Sequence, residues 1–89
     1  MDHRKEILIG LKKSQTHLGK VIAMLENKEY CVDIMQQMLA IIGLLKSANQ
    51  NLLADHLSNC FANAVKAGNE ARKKQMIDEI LRLQKMSNK

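Results

Sequence analysis

Residues 30–66 read YCVDIMQQMLAIIGLLKSANQNLLADHLSNCFANAVK, and the fold turns on this stretch. Ile34, Met35, Met38, Ile41, Ile42, Leu45, Ala48, Leu52, Leu53, Leu57 and Phe61 recur along it at helical spacing. Proline is absent from the whole chain, so the pattern predicts one helix from about Tyr30 to Lys66. That is far longer than the mean globular helix of about 11–12 residues. Gly43 lies inside the run, where glycine costs about 1 kcal/mol against alanine unless close packing uses it, and it reads as a contact point. So long a seam exceeds what one neighbouring helix covers, which leaves apolar surface for another chain.

Upstream, Ile7, Leu11, Leu18, Val21, Ile22 and Leu25 predict a first helix from Arg4 to about Glu26, with Asp2 as its N-cap. Asn27-Lys28-Glu29 breaks the apolar phase and reads as a turn. Downstream, Gly68 has the character of a helix C′ residue and Asn69 that of the next N-cap. A third helix then begins near Glu70, with Ile77, Ile80 and Leu81 on one face, and frays from Ser87 onward. There is no linker or internal repeat. The expectation is an all-α, three-helix protomer in a single domain, residues 1–89.

At 89 residues a lone chain buries little apolar surface, so stability calls for metal or self-association. Two cysteines build no disulfide framework, and no N-terminal signal region is visible, which points to a reduced, cytoplasmic setting. No apolar run approaches the roughly 20 residues that span a bilayer, because Lys46, Asn49 and Gln50 interrupt the longest; a soluble protein is expected. The net charge of +5 suits a polyanionic partner. A Gly-rich phosphate loop, a nucleophile elbow and a paired-acid motif are all missing, so the sequence offers no enzyme signature.

His56 and Cys60 stand four residues apart on the predicted helix and project from one face, which is metal-ligand spacing. Cys31 lies roughly 37 Å from His56 along a straight helix at about 1.5 Å per residue, so one chain does not join them. Two copies of the helix packed antiparallel about a twofold axis bring Cys31 of one beside His56 and Cys60 of the other. The same pairing covers the surplus seam. Two thiolates and an imidazole form a soft, three-coordinate set suited to Cu(I); Zn(II) would want a fourth ligand, and His3 and His17 read as surface histidines.

The segments Tyr30-Cys31-Val32-Asp33-Ile34-Met35-Gln36-Gln37 and Leu53-Ala54-Asp55-His56-Leu57-Ser58-Asn59-Cys60 closely resemble the CsoR/RcnR family of metal-sensing repressors, in particular its copper-sensing type. The resemblance covers almost the whole chain. It implies an antiparallel four-helix-bundle dimer, a dimer-of-dimers homotetramer, and release of operator DNA when Cu(I) binds Cys31, His56 and Cys60, with Tyr30 just outside the ligands. Within such a family a persulfide sensor is the alternative, with Cys31 and Cys60 as an intersubunit dithiol pair that needs no metal. Two departures stand out. Many relatives end an Arg-rich stretch of the first helix in Gly-Gln, where this chain has Lys12, Lys13 and then Thr16-His17, and Met76 falls close to an acidic position of the copper sensors, with Asp78 and Glu79 nearby. The DNA candidates are Lys5, Lys12, Lys13 and Lys20 on the first helix and Lys46 on the second, with Arg72, Lys73 and Lys74 behind them.

Overall fold

The computed structural model describes residues 3–87, all of whose regular structure is helical. The helices are α1 (Arg4–Glu26), α2 (Cys31–Asp55), a π-helical segment (His56–Phe61), α3 (Ala62–Lys66) and α4 (Glu70–Ser87). The proposed cap Asp2 lies outside the described residues, and the first helical bond, Ile7 N–H to His3 O at 2.8 Å, starts at His3. The chain divides between Ala54 and Asp55 into two compact units.

In the first unit α1 and α2 run antiparallel. His17 bonds to Gln37, while Gly10, nearer the start of α1, faces Ala48, nearer the end of α2. The buried residues Ile7, Ser14 and Val21 of α1 and Ile34, Ile41 and Ala48 of α2 recur every seven residues. Buried Met24 and half-buried Gly10, His17, Gln37, Leu44 and Asn51 fill the alternate positions of the same stripe, so the hairpin closes on a coiled-coil seam. Val21, Met24, Ile34 and Ile41 form its hydrophobic cluster.

The single apolar seam expected of the long helix is therefore two seams, one residue out of phase. The second stripe consists of Leu8, Leu11, Gln15, Leu18, Ile22 and Leu25 on α1 and Met35, Met38, Ile42, Leu45, Asn49 and Leu52 on α2, and every one of these residues is exposed. Its polar members are Gln15 and Asn49, whereas the buried seam carries Ser14, His17, Gln37 and Asn51. The more apolar seam is thus the one left open by a single chain. By length and composition Cys31–Lys66 could also cross a bilayer, and two adjacent heptad stripes account for that apolar content.

The turn after α1 follows a Schellman pattern: Glu29 N–H bonds to Met24 O at 3.0 Å and Lys28 N–H to Leu25 O at 3.1 Å. The left-handed position belongs to Lys28, with φ 55°, not to Asn27. The same geometry closes α3, with Asn69 N–H on Ala64 O at 3.3 Å and Gly68 N–H on Val65 O at 3.1 Å. Here a glycine takes the left-handed backbone, φ 69°, which costs it little. Asn69 Oδ1 then accepts the Arg72 N–H at 3.0 Å, capping α4 as its sequence predicts. In the second unit α3 packs on α4 around this turn, and Met76 is fully buried.

Candidate metal centre and nucleic-acid interface

His56 and Cys60 sit in the π-helical segment, not in the regular α-helix expected for them. The Ala62 N–H reaches back five residues to Leu57 O, and the Ser58 hydroxyl donates to Asp55 O at 3.4 Å. Ser58 so offers the backbone a local alternative to the α-helical ladder. Widening the turn changes which face its residues present but keeps positions four apart on one side, since i+4 then falls just short of a full turn instead of just past it. His56 is half-buried, and Cys60 is exposed and a free thiol. Single-turn π segments inside long helices are frequent at functional sites.

Cys31 is the first residue of α2, exposed and likewise a free thiol. Tyr30 precedes it, exposed, its carbonyl accepting the Ile34 N–H at 3.2 Å. Cys31 belongs to the first unit and His56 and Cys60 to the second. Among the described residues of one chain, no group of three His, Cys, Asp or Glu side chains gathers to hold a metal ion. His56 and Cys60 are soft or borderline donor types on one turn, and a metal held there would need a further donor from elsewhere.

On the hairpin, Lys12, Lys13 and Lys20 of α1 line one open groove of about 740 Å³ together with Thr16, His17, Gln37 and the apolar Ile9 and Leu44. Three cations on one helix face supply the fixed positive charge that a row of phosphates needs. Lys5 and Lys46 are exposed but line no part of this groove. On α4, Lys73 pairs with Glu70 at 3.4 Å and the Arg72 guanidinium donates to Gln75 Oε1 at 2.9 Å, so both are engaged on their own helix, while Lys74 is exposed. His17, expected as a surface histidine, is half-buried and its Nε2 bonds to Gln37 Oε1 across the hairpin. Gln37 escaped notice as a site residue; the seven-residue phase that it shares with Leu44 and Asn51 would have placed it against α1. His3 is half-buried at the start of α1.

Residues 3–86 match the family described as metal-sensitive transcriptional repressor. The chain is 40% identical over 80 residues to the copper-sensing transcriptional repressor CsoR of Mycobacterium ulcerans, covering 90% of this chain and 66% of that protein. It is 35% identical over 78 residues to the protein of the same name from Bacillus subtilis, covering 88% of this chain and 74% of that one. Its structure resembles the crystal structure of the copper-sensing repressor CsoR with Cu(I) from Geobacillus thermodenitrificans, with a TM-score of 0.86 and 28% identity, over 100% of this chain and 90% of the other. The chain thus spans just under two thirds of the length of the mycobacterial relative.

Proposed function

This chain belongs to the metal-sensitive transcriptional repressors, a family of regulators and not of enzymes, and from that premise we propose that it holds operator DNA until Cu(I) binds. The observation that supports the metal half of this reading is the π-helical turn that carries both His56 and the free cysteine Cys60. The copper-sensing names of its relatives agree with that donor set. Cys31 of a second copy completes it. Bound Cu(I) supplies a soft cation that two thiolates and one imidazole satisfy without a fourth ligand.

The second copy is called for by the exposed seam. Met35, Met38, Ile42, Leu45 and Leu52 of α2 find cover when two hairpins pack antiparallel, and that pairing sets the start of one long helix beside the end of the other. Two such dimers make the tetramer. Tyr30 stands next to Cys31 in the chain, just outside the ligand set. DNA is held from the α1 side, through Lys12, Lys13 and Lys20 with Lys5 and Lys46 extending the positive surface, and the protein works in the cytoplasm. Several subunits contribute phosphate contacts at once, in place of one reading helix.

Each residue then has a task. The thiolates of Cys31 and Cys60 provide affinity. His56 fixes the third direction, and its second ring nitrogen passes ligation on to the surrounding helices. Release requires that the DNA-free protein bind the metal more tightly than the DNA-bound protein does, by a coupling of about 1–3 kcal/mol in typical regulators.

The test measures affinity for an operator duplex, selected in vitro with the metal-free protein, with and without one Cu(I) per subunit under anaerobic conditions. Wild type should lose affinity on loading, and His56→Ala should still bind Cu(I) yet respond far less. Exposure of both free thiols favours one competing reading, the dithiol sensor that links Cys31 and Cys60 under polysulfide. Copper that leaves DNA affinity unchanged, with polysulfide weakening wild type and His56→Ala alike, would replace the first reading with the second.

A further inference from the structure

Among the lysines of the α1 groove stands a side chain whose charge is switchable. His17 occupies a half-buried position of the hairpin seam, its Nε2–H donates to Gln37 Oε1, and it is among the residues that line the same groove as Lys12, Lys13 and Lys20. We propose that His17 is a pH-gated phosphate-binding residue, whose imidazole takes up a proton as a DNA phosphate seats in the groove. This rests on the reading that the α1 lysines hold DNA.

The bond to Gln37 decides how the gate works. A glutamine Oε1 only accepts, so Nε2 carries a proton in both the neutral ring and the imidazolium. Protonation therefore adds its hydrogen at Nδ1, gaining a donor and a unit charge without breaking the link between α1 and α2. The groove is switched electrostatically while the hairpin stays closed. Every charged neighbour that lines the groove is a cation on α1, namely Lys12, Lys13 and Lys20, and α2 contributes the neutral Gln37 and Leu44. The nearest carboxylate along α2, Asp33, lies one turn from Gln37, exposed and outside the lining. The anion that stabilises a protonated ring in this cluster must then come from the ligand, so phosphate binding and proton uptake are linked.

The sign follows. Binding raises the proton affinity of the ring, so the extra DNA affinity is fully present below the free-state titration and fades as pH rises through the bound-state one. Phosphate contacts are independent of sequence, so a fluorescent duplex of mixed sequence serves as probe, with binding measured by anisotropy against salt from about pH 5 to 8. For wild type, lowering the pH should tighten binding by roughly tenfold per engaged His17 and steepen the salt dependence by about one per phosphate engaged. His17→Gln should hold the weak, high-pH behaviour throughout, and His17→Lys the tight, low-pH behaviour. Circular dichroism checks that both variants keep their helices.

A pH dependence in His17→Gln equal to that of wild type overturns the proposal, whichever other histidine is responsible. Lys12→Ala/Lys13→Ala gives the separate control. If that variant keeps the wild-type salt slope, the DNA surface itself lies elsewhere. A shallower slope in the lysine variant with unaltered pH dependence in His17→Gln rejects the gate and leaves the surface standing.

Discussion

Truncating the exposed heptad seam should separate assembly from folding. In a single chain Ile42 and Leu45 remain 46% and 44% exposed, whereas Ile41, one residue away on the same helix, is 8% exposed. Full burial of such a side chain is worth about 1.5–3 kcal/mol, of which the hairpin has already taken roughly half. About 1 kcal/mol per side chain remains to be gained when a second hairpin covers the seam. Ile42→Ala/Leu45→Ala removes most of it from two positions in each of two chains, so dimerisation should weaken by about 3–4 kcal/mol, or roughly a hundred- to a thousandfold in the dissociation constant. Ile41→Ala should do the opposite: it costs about 2–4 kcal/mol of hairpin stability through reduced burial and an unfilled cavity. Sedimentation equilibrium over a concentration series reads the first effect, and thermal unfolding followed by circular dichroism reads the second. An unchanged dissociation constant for the double variant, or a wild-type protein that stays a folded monomer at micromolar concentration, would refute the assignment of this seam to a second copy.

Replacing Lys12 and Lys13 by alanine should flatten the salt dependence of DNA binding by about one for each phosphate that no longer has a lysine partner, read from anisotropy titrations at several salt concentrations. Met76→Ala should cost about 2–5 kcal/mol in chemical denaturation, because Met76 is only 1% exposed and its removal leaves a cavity. Lys28 holds a left-handed backbone at the end of α1, so Lys28→Gly should stabilise the protein by up to about 1 kcal/mol, visible as a higher melting temperature.

The helices and their ends were legible because their signals are local. Gly68 and Asn69 punctuate the chain as a left-handed C′ residue and a cap, the break at Asn27-Lys28-Glu29 is a true turn, and α1 spans Arg4–Glu26 as its periodicity predicts. Identical caps do not demand identical residues, which is why Lys28 could take a position where glycine is usual. That His56 and Cys60 share one helical turn was also legible from spacing. The π-helical form of that turn was not, because its i→i+5 bonding leaves no mark in residue spacing.

What the residues alone determined, then, is the set of helices and the chemistry that each face carries. Only tertiary structure decided which of two heptad stripes, one residue out of phase, closes the hairpin. Periodicity merged Ile34, Ile41 and Ala48 with Met35, Met38, Ile42 and Leu45 into a single seam, yet α1 covers the first group and leaves the second exposed. The same choice sets His17 against Gln37 beside three lysines. Helical propensity and capping act within a few residues, whereas the pairing of stripes depends on how two whole faces fit. A fit in which small Ala48 meets Gly10, and the polar His17 and Gln37 satisfy each other, surrenders little apolar surface and leaves the greasier stripe for association.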